Sequence, residues 1–209
     1  MLAGVTIDGS LRERKKRQTR QSISDIATRL FLERGYERVT IAEIAAAAGV
    51  AKMTVTNYFP RKEDLVLDIA EEFVALLARA VAERPAGEPV RDALRRRYAE
   101  AVARREAAVG FAGEPFVRLV EDSPALAARL RELFDLRERA LAAQLAAEPA
   151  TAGDDLTARL VAAQLAGAYR VLFAEAFRLI RAGHDEEQVA GILAEAGARA
   201  FDLLATAGD

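Results

Sequence analysis

The sequence predicts an all-α chain. Apolar residues recur at helical spacing along nearly its whole length, no segment alternates apolar and polar residues as a half-buried strand would, and Gly or Pro falls between the periodic stretches. Length and composition agree with this. With 209 residues, 52% hydrophobic and 30% charged, the chain can bury a real core in one large domain or in a small and a medium one.

Each element has its own signal. Ile23, Ile26, Ala27, Leu30 and Phe31 stand at i, i+3, i+4, i+7 and i+8, and Gly35 follows as a stop, which gives the first helix. Thr40 is placed to cap a short second helix with Ile41, Ile44, Ala45 and Ala48 inward, ended by Gly49. A third short helix runs from about Lys52 to Phe59, where Pro60 stops it. A fourth opens near Lys62 and carries Leu65, Ile69, Phe73, Leu76 and Leu77 to about Glu83. Beyond the break RPAGEP the helices lengthen: 89–109, a short one near 115–121, Pro124 to Ala147 behind the cap Ser123, then about 155–182 and 185–206.

Charge is unevenly spread. The net charge of −2 divides into 12 basic against 8 acidic residues over positions 1–64, or +4, and 18 against 24 over positions 65–209, or −6. A basic front on an acidic body is the asymmetry expected when only one part meets a polyanion. The segment LRERKKRQTR concentrates it, with six basic residues and one acid in ten. Its readings are a solubilising tail or an arm in which Arg14, Lys15, Lys16 and Arg17 follow a nucleic-acid backbone or minor groove.

Two short helices joined by a glycine turn and preceded by a longer helix have the dimensions of a helix-turn-helix unit. At 100° per residue, Val55 and Phe59 turn inward with Val50. Met53, Thr54, Asn57 and Tyr58 turn outward, with Thr56 on the flank and Lys52 at the start. Thr and Asn are weak helix formers, so stability does not explain them. Hydroxyls, an amide, a phenol and an ammonium are suited to phosphates and base edges in a DNA groove. The plain alternative is a helical hairpin with a solvated polar face.

Residues 22–67, containing GYERVTIAEIAAAAGVAKMTVTNYFPRKEDLV, resemble the N-terminal domain of the tetracycline repressor (TetR) family of bacterial regulators. The resemblance implies a basic N-terminal arm over residues 1–20, expected to be flexible. It further implies a three-helix helix-turn-helix DNA-binding domain over 21–66 and a helical ligand-binding and dimerisation domain over 67–209. It implies a homodimer that binds a palindromic double-stranded operator as a repressor and is released by a small-molecule ligand, while a cytoplasmic location is expected from the lack of a signal pattern and of a long apolar run. By position, Thr40 would meet a phosphate, Lys52, Met53, Thr54 and Thr56 would enter the major groove, and Tyr58 and Lys62 would hold further phosphates. Two residues depart from the family pattern: Ala51 stands where relatives often place a capping Ser or Thr, and Thr56 where many have Tyr.

The last two long helices are apolar on several sides. Pairing them with their copies in a second chain would cover Ala163, Ala166, Gly167, Arg170, Ala174 and Phe177 on one, and Ala190, Gly191, Ala194 and Ala198 on the other. The alternative is a core wholly within one chain. Candidate pocket residues are Tyr98, Val102, Phe111, Phe116, Phe134, Tyr169 and Phe173, with Arg105 and Gln164 as polar groups on apolar stripes. Aromatic residues at helical spacing serve equally as core, and Arg105 can reach water or an internal partner.

Catalysis and metal binding lack support. There is no cysteine, the single histidine, His184, falls in a loop between Gly183 and Asp185, and no glycine-rich phosphate loop is present. The first residues lack a signal pattern, and no run of about 18 uncharged apolar residues implies a membrane partner. The expectation is a regulator without a cofactor, ahead of a helical small-molecule-binding protein of the same fold without operator recognition. A helical enzyme comes last.

Overall fold

The computed structural model describes residues 6–148 and 155–206, and those residues form nine α-helices with no strand. The first is α1, Thr6–Arg34. The basic segment expected to be free is therefore helical over its described part. Its residues are good helix formers, and no Gly or Pro stands between Ser10 and Arg34, so the helix continues where the apolar periodicity fades. Two short helices follow, α2 (Ile41–Ala47) and α3 (Lys52–Tyr58), joined by a turn in which Gly49 takes φ +65°.

The expected fourth helix is interrupted. A 3-10 turn spans Glu63–Leu65, and α4 proper runs Ala70–Ala82. Leu65, Val66 and Leu67 are all buried, and a regular helix cannot turn three successive side chains to one side, so the chain leaves the helix to seat them. The helix expected over 89–109 also ends early. Here α5 is Val90–Ala103, Arg105 adopts φ +52°, and a 3-10 turn covers Ala107–Val109.

The remaining helices match their signals: α6 (Glu114–Asp122), α7 (Pro124–Ala146), α8 (Asp155–Arg181) and α9 (Glu186–Thr206). Ser123 caps α7 through the Leu126 amide at 3.4 Å. α7 packs against α4 and α8, and α9 lies across α5 and α8. By length and composition α8 would reach across a bilayer, yet Ala162, Tyr169, Leu172 and Ala176 are buried inside the protomer.

The α1–α3 unit joins the other helices through polar contacts. Arg129 of α7 holds Asp64 at 2.9 Å, Arg61 holds Glu132 at 2.6 Å, and the Ser123 hydroxyl lies 3.2 Å from the Glu37 carboxylate. His184 closes the α8–α9 turn: its amide donates to the Leu179 carbonyl at 3.2 Å.

Candidate nucleic-acid interface and cavity

The helix-turn-helix unit is held from inside by Ile23, Ala27, Phe31, Ile44, Val55 and Phe59, all at most 1% exposed. Thr40 caps α2 in a capping box. Its hydroxyl oxygen accepts from the Glu43 amide at 3.3 Å, and the Thr40 amide donates to the Glu43 carboxylate at 2.8 Å. That amide, then the Thr40 hydroxyl, hold the Glu43 carboxyl below the usual carboxylate range.

On α3 only part of the outward set that the 100° spacing predicts is fully exposed, and Tyr58 packs partly against the core. Lys52, Met53 and Asn57 are exposed, Met53 at 69%, while Thr54, Thr56 and Tyr58 are half-buried. The Thr56 hydroxyl bonds back to the Met53 carbonyl at 3.1 Å, which leaves its methyl group as the outward feature. Ala51 gives α3 no side-chain cap. Arg14, Lys15, Lys16 and Arg17 are exposed along α1, and the Arg20 guanidinium lies 4.6 Å from the centre of the Phe59 ring, tying the basic stretch to the end of α3.

Lys62 is turned inward. Its ammonium donates to the Tyr36 carbonyl at 2.6 Å and stands 4.1 Å above the Tyr36 ring, so a phosphate contact must share a group already used by the fold.

A cavity of about 810 Å³ opens between α1 and the C-terminal helices α4, α6, α7 and α8. Phe111, Phe116 and Phe173 line it as expected, joined by Phe73 and Phe177. Six candidates do not line it. Tyr98 and Tyr169 stack edge to face at 5.2 Å in the core with Val102 nearby in the same buried layer, and the Tyr169 hydroxyl donates to the Leu94 carbonyl at 2.7 Å. Gln164 is exposed, and Arg105 ends α5 with its side chain 3.6 Å from Glu186. Phe134 sits against Phe73 and Phe173 without reaching the space. Helical spacing assigns faces, but the cavity depends on which helices diverge.

Residues missed from the sequence lie on α1 and before α4: Ser24, Asp25, Thr28, Leu32 and Asp68 line the cavity. The only available signal was position, since Ser24, Asp25, Thr28 and Leu32 occupy the second face of α1 and Asp68 stands in the segment leading to α4. The expected pairing surface also needs correction. Phe177 and Ala166 are buried within the protomer, at 6% and 5% exposure. Ala163, Arg170 and Ala174 are exposed and Gly167 half-buried, beside Leu160 and Val171, which leave more than half of their surface open. On α9, Gly191 and Ala194 are exposed, with Ala190 and Ala198 half-buried.

Residues 23–69 match the family described as "Bacterial regulatory proteins, tetR family". Over 183 residues, 85% of this chain and 80% of the relative, the sequence is 32% identical to the HTH-type transcriptional regulator TcmR of Streptomyces glaucescens. Among solved structures, native NalD, the secondary repressor of the MexAB-OprM multidrug efflux pump in Pseudomonas aeruginosa, superposes with a TM-score of 0.56 at 21% identity. The superposition covers 88% of this chain and 97% of NalD. Thermus thermophilus FadR in complex with lauroyl-CoA gives a TM-score of 0.50 at 27% identity, over 88% of this chain and 92% of FadR.

Proposed function

The chain belongs to the tetR family of bacterial regulatory proteins and is a helix-turn-helix DNA-binding regulator, and from that premise we propose a cytoplasmic homodimeric repressor released from its operator by a small molecule. The observation that carries the DNA part is the outward face of α3, where Lys52, Met53 and Asn57 stand exposed on a helix whose other side is locked by Val55 and Phe59. A rigid rod with groups of this kind fits a major groove, and the basic stretch of α1 adds affinity for backbone phosphate without sequence information.

Two copies are needed to read a palindrome. The stripe of exposed Leu160, Ala163, Val171 and Ala174 with half-buried Gly167 on α8, and exposed Gly191 and Ala194 on α9, supports pairing through a four-helix interface. A cavity of this volume lined mainly by aromatic and aliphatic side chains supports a largely apolar effector.

Selection of bound duplexes from random DNA tests the reading. Palindromes with half-sites about 10 base pairs apart should be enriched, and Thr54→Ala should shift the selected bases. Failure to enrich any sequence over random duplex would sink it.

A further inference from the structure

The α1 helix has two working faces. Ile23, Ala27, Leu30 and Phe31 point into the helix-turn-helix core, whereas Ser24, Thr28 and Leu32, at i, i+4 and i+8, run along the wall of the large cavity. The far wall is the aromatic group Phe73, Phe111, Phe173 and Phe177 from α4, the α5–α6 link and α8. Anything that fills this space touches the back of the helix whose front carries α2 and α3.

The polar end of the cavity is also the seam between α1 and the segment leading to α4. The Ser24 hydroxyl lies 2.7 Å from the Asp68 carboxylate and 3.1 Å from the Leu65 carbonyl, so its single proton serves both. Gln21 donates to Asp25 at 2.9 Å and to Asp68 at 3.4 Å. Two carboxylates, Asp25 and Asp68, meet at this end, while Arg29 and then Glu33 line the cavity further along α1. The excess of acceptors suits a hydrogen-bond donor on the occupant and disfavours an anion.

We propose that the DNA-binding unit forms part of the effector site. The effector is a largely apolar molecule with a hydrogen-bond-donating end. Its donor reaches Asp25 and Asp68, its apolar body lies against the aromatic wall, and it acts by bearing on α1 directly. This rests on the ligand-released repressor proposed above and specifies where the ligand takes hold. A ligand that competes for Asp68 loosens the Ser24 contact and shifts α1 against the body, which changes the placement of α3.

The test uses 1-N-phenylnaphthylamine, an uncharged apolar probe with one N–H donor that brightens on leaving water, with the full-length protein. The wild type should bind the probe, Leu32→Ala should weaken binding about tenfold, and Leu11→Ala, on the same helix away from the cavity, should leave it unchanged. Amide exchange should slow in residues 21–33 of the wild type on binding, along with α6 and α8, a readout that does not require any variant to fold. Binding with residues 21–33 unaltered would overturn the direct contact while leaving the cavity as an effector site. No binding by a protein that still selects DNA would overturn the cavity assignment and leave the operator-binding regulator intact.

Discussion

The guanidinium carbon of Arg137 lies 3.3 Å from the centre of the Phe73 ring, and Nε of the same residue donates to the Phe73 carbonyl at 2.8 Å. Nη2 donates to the Ala108 carbonyl at 3.0 Å, so one side chain of α7 grips both α4 and the α5–α6 link. Arg137 is 1% exposed, no carboxylate lies within 4.0 Å of it among the described residues, and Nη1 has no hydrogen-bond partner there. A ring face and two carbonyl dipoles hold a cation that would ordinarily need an anion.

Burial pushes the Arg137 guanidinium down to about 9, still high enough to be charged at neutral pH. Above that value the native state sheds the proton while the unfolded chain keeps it. The unfolded state then binds more protons, and stability rises with pH. The difference in unfolding free energy between wild type and Arg137→Met should be flat from pH 7 to 8. It should then grow in favour of the wild type, with a slope approaching ~1.4 kcal/mol per pH unit well above pH 9. Taking the difference cancels the tyrosines that titrate in the same range. Urea midpoints from pH 7 to 10.5 measure it, and a difference that stays constant would show that the native guanidinium keeps its proton throughout.

The two short helices differ in how they begin. Thr40 closes a capping box on α2, whereas Ala51 already holds N-cap geometry, φ −70° and ψ 148°, with no side chain to accept a bond. Thr40→Ala should cost about 1 kcal/mol, and Ala51→Ser should add roughly 0.5–1 kcal/mol, because the backbone need not move to receive it. Thermal unfolding of the two variants checks the opposite signs. A stabilising Thr40→Ala would contradict the cap assignment.

The helices of this fold were legible because their signals are local. Thr40, Gly49, Pro60, Ser123 and Pro124 set ends within a residue or two of where the structure puts them. The start of α4 was not legible, because the burial of Leu65, Val66 and Leu67 together is a tertiary demand that overrides helical spacing. Val55 and Phe59 reported their inward direction, so the α3 face could be read in advance. The cavity could not, since Ser24 and Asp68 look like ordinary surface residues until α1 is set against the body. Arg137 gave a signal that went unread: it continues the stripe of Leu130, Leu133 and Leu141 on α7.

Arg105 ends α5 in the left-handed region, a conformation that costs an L-residue with a side chain roughly 1–2 kcal/mol and glycine almost nothing. Its one ion pair among the described residues, with Glu186 at 3.6 Å, joins two exposed side chains and contributes little. Arg105→Gly should therefore raise stability by about 1 kcal/mol, a rise of some 2–4 °C in Tm for a chain of this size. A lower Tm would mean that the Arg105 side chain does more for the native state than its geometry accounts for.

Two glycines separate packing within the protomer from pairing between protomers. A Cβ at Gly197 would collide with the ring of Tyr98, which is held by Tyr169 at 5.2 Å and Phe201 at 6.3 Å and has no room to retreat. Gly197→Ala should cost about 1–3 kcal/mol of unfolding free energy. Gly167 has nothing within 4 Å of its would-be Cβ, so Gly167→Ala should gain up to ~1 kcal/mol of helix stability within one chain. If α8 pairs with its copy through that same stripe, the added methyl group lands where two backbones approach, and self-association should weaken. Sedimentation at several concentrations, set beside denaturation of the same variant, distinguishes the cases. A Gly167→Ala protein that is more stable and equally dimeric would place the pairing surface elsewhere.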